Sequence, residues 1–187
     1  MNRRDFLKYA LALGLLGFEI PSEAASDFAE PPIYKRFFQF TEYEPRPKTE
    51  IIVIHHSGFE VDKDSTAADI HRMHRDFNGW AGIGYHYLIR KNGMIEQGRR
   101  PNMIGAHAYQ HNKNSIGICL AGNFNLVKPT KEQLTAVKEL ATWLCRKYEL
   151  NSLKNGVIVG HRDLNDTSCP GEYLYSKLDV IRRAAAS

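Results

Sequence analysis

Residues 51–57 of this chain read Ile-Ile-Val-Ile-His-His-Ser. A short run of β-branched apolar residues is typical of a strand that is buried on both faces, and we predict such a strand from Glu50 to His55. His55 and His56 are neighbours in the chain, and successive side chains of a strand point to opposite faces of the sheet. Only one of these two imidazoles can therefore serve a site on a given face.

A second stretch supplies possible partners for that histidine. Residues 160–171 read Gly-His-Arg-Asp-Leu-Asn-Asp-Thr-Ser-Cys-Pro-Gly, and they follow an apolar run, Val-Ile-Val, at positions 157–159. We predict that this run is a strand and that it delivers His161 to the edge of the sheet where His55 lies. Together with Cys169, the two histidines make a zinc site with three protein ligands. Such a site leaves the fourth tetrahedral position for water, as catalytic zinc sites do, whereas a structural site normally has four protein ligands.

The rest of the chain alternates between helical and strand patterns. A helix is predicted over residues 66–78, a hairpin around the Lys-Asn-Gly turn at 91–93, and a strand over 115–121. The sequence Thr-Lys-Glu-Gln at 130–133 is a capping box that opens the longest helix, and a final helix is predicted over 173–185. These elements predict an α/β fold with a mixed central β-sheet flanked by α-helices, and with the metal in a groove at the sheet edge.

Five ordered motifs carry a resemblance to a known family. They are Ile-Val-Ile-His-His-Ser at 52–57, Gly-Tyr-His-Tyr at 84–87, Gly-Ala-His-Ala at 105–108, Asn-Ser-Ile-Gly-Ile at 114–118, and Gly-His-Arg-Asp at 160–163 with Cys-Pro-Gly at 169–171. In this order they closely resemble the zinc-dependent N-acetylmuramoyl-L-alanine amidases, which include the phage lysozyme-type amidases and the peptidoglycan recognition proteins. The resemblance runs from about residue 50 to about residue 173. It implies one zinc ion per chain, held by His55, His161 and Cys169.

The resemblance also implies a reaction and its catalytic residues. The reaction is hydrolysis of the amide bond between N-acetylmuramic acid and L-alanine in peptidoglycan. Tyr85 matches the family tyrosine beside the metal, where its hydroxyl can donate a hydrogen bond to a developing oxyanion. Thr167 stands where the phage-type enzymes carry a lysine and the recognition proteins often carry a threonine. Cys119 stands where the cytoplasmic recycling amidases carry a glutamate, so the identity of the proton acceptor stays open.

Three further residues are candidates for substrate binding, and each has a structural alternative. His107 lies in a motif that the family places near the cleft, but a packed histidine is an equal alternative. Asn123 lines the groove or is a turn residue after a strand. Trp80 stacks on sugar or peptide, or covers the core.

The N-terminus carries the pattern of an export signal. Paired arginines at Arg3 and Arg4 precede an apolar stretch over residues 9–18, which resembles a twin-arginine signal and is too short to span a bilayer. Cleavage before Ala25 would give a signal peptide at 1–24, an extended arm at 25–49 and a zinc amidase domain at 50–187. An uncleaved signal that acts as an anchor, or a basic tail with a buried apolar segment, are the alternatives. Export by the twin-arginine machinery predicts the periplasm, the cell wall or the extracellular space, with no stable membrane span after cleavage.

Charge and cysteine content narrow the possible partners. The formal net charge is +4, from 25 Lys and Arg against 21 Asp and Glu, which suits an anionic wall better than nucleic acid because no basic run stands out. The chain has 3 cysteines, so with Cys169 on the metal the other two are predicted to be small buried hydrophobes. We expect a monomer with peptidoglycan as its substrate. Two rival functions are a non-catalytic peptidoglycan-binding module and an enzyme of related chemistry that cuts a peptide bond.

Overall fold

The computed structural model describes residues 29–186. The predicted signal peptide at 1–24 lies outside this range, and the division into signal, arm and domain stays a prediction. Six strands form one sheet, and the helices lie on its two faces. The strands are β1 (Ile33–Lys35), β2 (Ile51–His56), β3 (Tyr87–Ile89), β4 (Ile95–Gln97), β5 (Ser115–Leu120) and β6 (Ile158–Gly160). The helices are α1 (Ala67–Asp76), α2 (Lys131–Lys147), α3 (Glu172–Tyr175) and α4 (Leu178–Ala184).

The sheet is mixed, as the sequence predicts. Its strand order is β1-β4-β3-β5-β2-β6, and the β3–β4 hairpin is the antiparallel pair among the strand pairings of residues 29–186. The central strands β2 and β5 are buried on both faces, which explains why they consist of apolar and β-branched residues. Full burial of each large aliphatic side chain here contributes roughly 1.5–3 kcal/mol to folding.

The two faces of the sheet have separate cores. On one face, Ile52 and Ile54 of β2 pack beneath α2 and α4. On the other face, Leu88 and Cys119 pack with Ile70 of α1. His55 alternates with Ile54 and pairs in register with Cys119, so its side chain lies on the α1 face.

Local signals set the ends of both predicted long helices. Thr66 and Thr130 are the N-caps of α1 and α2, and each forms a reciprocal capping box with the residue three positions on. The buried amide of Gln133 also donates to the carbonyl of Ala121 at 2.8 Å, which ties the start of α2 to the end of β5. The predicted bounds of α1 are confirmed to within about two residues, and α2 begins directly after the predicted cap Thr130.

Two elements differ from the sequence prediction. The arm was expected to be extended, with no strand predicted in it, and residues 33–35 add β1 to the edge of the sheet beside β4. The predicted C-terminal helix is two helices, α3 and α4, with a break at Ser176. The Ser176 hydroxyl donates to the carbonyl of Tyr173 at 2.9 Å, and this local bond competes with the helical ladder. Among residues 29–186, no helix is both long and apolar enough to cross a bilayer.

Candidate metal centre

Strand register brings the two predicted histidine ligands together. β2 and β6 are parallel neighbours, and Ile54 pairs with Gly160. The next residues, His55 near the end of β2 and His161 directly after β6, therefore lie at the same edge of the sheet, and their ring centroids are 4.5 Å apart. His161 opens a short 3-10 turn, His161–Asp163, whose Asp163 carboxylate accepts from the backbone N–H of Gly160 at 2.9 Å. This turn swings the chain around so that Cys169 returns to His55.

The cluster has the dimensions of a zinc site. One ligand atom each from His55, His161 and Cys169 lies within 4.8 Å of the others. The Sγ atom of Cys169 is 3.6 Å from the Nδ1 atom of His55. With Zn–S of about 2.3 Å and Zn–N of about 2.0–2.1 Å, tetrahedral angles place a sulfur and a nitrogen ligand roughly 3.6 Å apart. The Cys169–His55 pair therefore has the spacing of two zinc ligands, and the donor set of two imidazoles and one thiol suits zinc.

The chemical state of the ligands suits a metal. Burial lowers the pKa of His55 well below its usual value, and burial also lowers the pKa of His161, so both imidazoles are neutral and carry a free lone pair. Burial raises the pKa of the Cys169 thiol to about 12. The backbone N–H of His56 opposes this shift by donating to Sγ at 3.4 Å. A bound cation is thus needed to make Cys169 a thiolate at neutral pH.

Tyr85 lies beside the cluster. Its ring centroid is 5.0 Å from that of His55, and the residue is half-buried. Burial raises the pKa of the Tyr85 phenol well above its usual value, so the hydroxyl keeps its proton and acts as a hydrogen-bond donor. The structure thus places Tyr85 beside the three candidate ligands, at the position that the sequence resemblance implies.

Thr167 belongs to the loop that carries Cys169. Its Oγ1 atom accepts a hydrogen bond from the backbone N–H of Cys169 at 3.2 Å, and the residue is half-buried. The hydroxyl proton is not used in that bond, so Thr167 keeps a donor close to the cluster.

A row of aromatic rings leads away from the cluster. The His74 ring lies 5.5 Å from the Tyr85 ring and 4.6 Å from the Trp80 ring. Trp80 is 42% exposed, so one face of its indole packs on His74 while the rest is open to solvent. His71 and His74 of α1 are both buried, and the Nδ1 atom of His74 accepts from the backbone N–H of Gly84 at 3.0 Å.

The other two residues proposed for substrate binding are engaged inside the protein. Asn123 donates its side-chain amide to the carbonyl of Phe59 at 2.8 Å, and its Oδ1 atom accepts from the backbone N–H of Asn125 at 3.1 Å. His107 is only 7% exposed, and its Nδ1 atom lies 3.1 Å from the Nε2 atom of His55. The structure thus places Asn123 in a turn and His107 behind His55, a candidate metal ligand.

Comparison with known proteins agrees with this geometry. The family model for N-acetylmuramoyl-L-alanine amidase matches residues 45–172, which contain all three ligands and Tyr85. The chain belongs to the N-acetylmuramoyl-L-alanine amidase family. The resemblance seen in the sequence motifs is thereby confirmed.

Individual relatives of this amidase-family chain come from phages, bacteria and insects. It is 31% identical over 134 residues to the endolysin of Enterobacteria phage T3, an alignment that covers 69% of this chain and 85% of the endolysin. Its fold is similar to that of LysCS, an endolysin N-acetylmuramoyl-L-alanine amidase from Clostridium intestinale, with a TM-score of 0.74, 32% identity and coverage of 82% of this chain and 96% of LysCS. It is also similar to a Drosophila PGRP-LB mutant in complex with tracheal cytotoxin, with a TM-score of 0.70, 31% identity and coverage of 79% and 92%.

Sequence reasoning missed one residue of this amidase-family site. Asn165 lies between His161 and Cys169, and its Oδ1 atom is 3.1 Å from the Nε2 atom of His161. The sequence signal for this contact was the spacing of four residues between His161 and Asn165. The 3-10 turn that begins at His161 brings the two side chains to the same side of the turn. The cysteine predictions hold, since Cys119 and Cys145 are buried free thiols.

Proposed function

We propose that this protein is a zinc-dependent N-acetylmuramoyl-L-alanine amidase that cuts the bond between N-acetylmuramic acid and L-alanine in peptidoglycan. The observation that carries the proposal is the cluster of His55, His161 and Cys169, of which His55 and Cys169 are buried, with the protonated Tyr85 phenol beside it. Family membership gives the class of reaction, and the three-ligand geometry supports a catalytic ion rather than a structural one.

The chain's own residues divide the chemical work. A zinc ion held by the three ligands would supply a Lewis acid for the scissile carbonyl and a water molecule with a pKa lowered to about 7. Tyr85 donates its hydroxyl proton in a hydrogen bond to the oxygen that gains charge as the amide is attacked. Thr167 offers a second, uncharged donor from the loop that carries Cys169.

Substrate is held along the ring row that runs from Tyr85 to Trp80. The exposed part of the Trp80 indole offers an apolar face for a sugar ring or for the peptide stem. Asn123 is held by Phe59 and Asn125, which favours its turn role over direct contact with substrate.

The rival function is a recognition module that binds peptidoglycan and does not cut it. Peptidoglycan recognition proteins are among the relatives, so family membership agrees with both functions. The presence of both Cys169 and Tyr85 favours catalysis, because binding alone requires neither a thiolate ligand nor an oxyanion donor.

One experiment separates these functions. Purified protein is incubated with peptidoglycan, with and without a zinc chelator, and the products are identified by mass spectrometry. We expect free stem peptides that begin with L-alanine, lost with chelator and restored by zinc. Tight binding by zinc-loaded protein without released peptide would make the chain a recognition module. Products cut within the stem would make it a peptidase of related chemistry.

We further propose that the chain is exported through the twin-arginine machinery to the periplasm, wall or outside, where it acts as a monomer. The paired arginines and the short apolar stretch at 9–18 support this route. Replacement of Arg3 and Arg4 by lysines should leave the protein in the cytoplasm, as measured by cell fractionation. Unchanged export of this variant would refute the twin-arginine route.

A further inference from the structure

In His55 and in His161, the ring nitrogen Nε2 is linked by hydrogen bonds to the same turn of the chain. This turn comprises residues 107–112 and is called the brace turn below. One connection runs through the His107 ring to His55, and the other runs through Asn165 from the Tyr109 carbonyl to His161. The brace turn lies far from both ligands in sequence, since His55 and His107 are 52 residues apart.

The connection to His55 has a defined direction. His55 turns Nδ1 toward the Cys169 sulfur, so a metal there leaves the proton on Nε2. This Nε2–H then donates to Nδ1 of His107, 3.1 Å away. The remaining N–H of His107 faces the hydroxyl of Ser115 at 3.5 Å, and Ser115 donates to the carbonyl of His111 at 2.7 Å. With Nδ1 of His55 as the ligand atom, every donor in this chain has an acceptor.

The connection to His161 has an equally fixed direction. The Tyr109 carbonyl can only accept, so the Nδ2 group of Asn165 points toward it, at 3.3 Å. The Oδ1 atom of Asn165 must then face His161 and accept from Nε2–H at 3.1 Å. This again leaves Nδ1 for the metal.

The brace turn is itself firmly held. The Asn112 side chain accepts from the backbone N–H groups of His107 and Ala108 at 2.9 and 3.0 Å. The His107 ring lies in a slot walled by glycines, where a Cβ atom on Gly117 would come within 2.6 Å of the ring and one on Gly105 within 2.5 Å. The glycine in the middle of β5 therefore makes room for the ring that supports His55.

We propose that the brace turn is a shared support that orients both histidine ligands, with His107 and Asn165 as positioning residues. It selects Nδ1 as the metal-binding nitrogen of His55 and of His161. The acceptors that it presents are an imidazole and an amide, both uncharged, so the support orients the ligands without adding negative charge to the metal. The inference rests on the proposed zinc function. Removing an outer hydrogen-bond partner of a metal ligand typically costs about 10–100-fold in metal affinity.

Zinc affinity of the purified full chain, measured by competition with a chromophoric chelator, tests the support. We expect Asn165→Leu to bind zinc about 10–100-fold more weakly, and Asn165→Asp, which keeps an acceptor for His161 but cannot donate to the Tyr109 carbonyl, to lie between Asn165→Leu and the wild type. Asn112→Ala touches neither ligand but should also weaken binding, because it loosens the brace turn. The matched control is Asn114→Ala, whose side chain bonds Glu50 instead. Urea unfolding of the zinc-free variants checks that each remains folded.

A second readout reports the nitrogen directly. Long-range ¹H–¹⁵N spectra of zinc-loaded protein should show Nε2–H on both ligand histidines, and Asn165→Leu should alter the His161 signals while leaving those of His55 unchanged. Wild-type affinity in both Asn165→Leu and Asn112→Ala, or Nδ1–H on either ligand, would overturn the support. Failure of the wild-type protein to bind zinc would instead overturn the proposed function, so the two failures are distinguishable.

Discussion

The Sγ atom of Cys169 lies 3.6 Å from the Nδ1 atom of His55, although 114 residues separate them in the chain. The contact closes a loop that begins at His161, and the backbone N–H of His56 adds a hydrogen bond to the same sulfur. Thiol, imidazole and peptide dipole therefore converge on one point at the edge of the sheet.

Replacement of Cys169 by serine removes the sulfur and its charge from the cluster. We expect Cys169→Ser to lose most of its zinc and nearly all hydrolysis of peptidoglycan, because two neutral imidazoles alone hold the ion weakly. Metal content measured by atomic absorption, together with turnover, checks this. Cys145→Ala is the control, since that buried thiol lies in α2 outside the cluster and its loss should leave zinc stoichiometry unchanged. Full zinc and full activity in Cys169→Ser would refute the ligand assignment.

Replacement of Tyr85 by phenylalanine tests the oxyanion donor. The ring packing against His55 and His74 is kept, so zinc binding and folding should be unchanged. We expect kcat to fall by about 10²–10³, which is typical for loss of one oxyanion donor. Tyr109→Phe is the control. It removes the hydroxyl of an exposed side chain, and we expect little effect on kcat. An unchanged rate in Tyr85→Phe would remove Tyr85 from the mechanism.

Two substitutions at Thr167 separate the effect of its hydroxyl on turnover from the effect of its side-chain size. Thr167→Val keeps the size but loses both the donor and the acceptor of the Cys169 backbone N–H. We expect a lower kcat in Thr167→Val and near-normal turnover in Thr167→Ser. Equal rates in the two variants would show that the hydroxyl has no part in turnover.

Truncation of Trp80 tests the ring row as a substrate surface. Trp80→Ala removes the partly exposed indole that packs on His74, and we expect KM for soluble muropeptides to rise about tenfold while zinc binding stays the same. A stacking contact of about 1 kcal/mol or slightly more accounts for that change. Phe77→Ala, which removes another exposed ring just after α1, is the control. If both variants have wild-type KM, substrate does not bind at Trp80.

Buried neutral histidines predict an acid-sensitive fold. Burial lowers the pKa of His74 to about 4 and that of His86 to about 3, whereas an exposed histidine in the unfolded chain titrates near 6.5. Below about pH 6.5 the unfolded state therefore binds more protons than the folded state, so stability is present above that pH and falls as the pH drops toward 4.

Urea unfolding of zinc-free protein at pH 7.5, 5.5 and 4.5 measures this loss. His74→Asn keeps an acceptor for the backbone N–H of Gly84, and it removes one group that gains a proton on unfolding at acidic pH. Its stability should depend less steeply on pH, by up to about 1.4 kcal/mol per pH unit. An identical pH slope in the variant and the wild type would contradict a neutral buried His74.

Much of the architecture could be predicted from local sequence. The apolar runs at 51–54 and 115–120 became the buried strands β2 and β5, and the capping boxes at Thr66 and Thr130 set the starts of α1 and α2. These signals are local, because a cap or an alternation depends on residues a few positions apart. The edge strand β1 escaped prediction, since its three residues gain their partner only from β4, far along the chain.

The sequence by itself determined which atoms are available for the chemistry: two imidazoles, one thiol and one phenol, carried by motifs whose order identifies the family. Only the tertiary structure decided how each imidazole is turned. The nitrogen that faces the metal depends on hydrogen bonds to Asn165 and to His107, and the His107 bond joins residues 52 positions apart. Such bonds form only after the parallel strands have brought distant segments to one edge of the sheet. Local sequence therefore does not predict which of the two ring nitrogens faces the metal site.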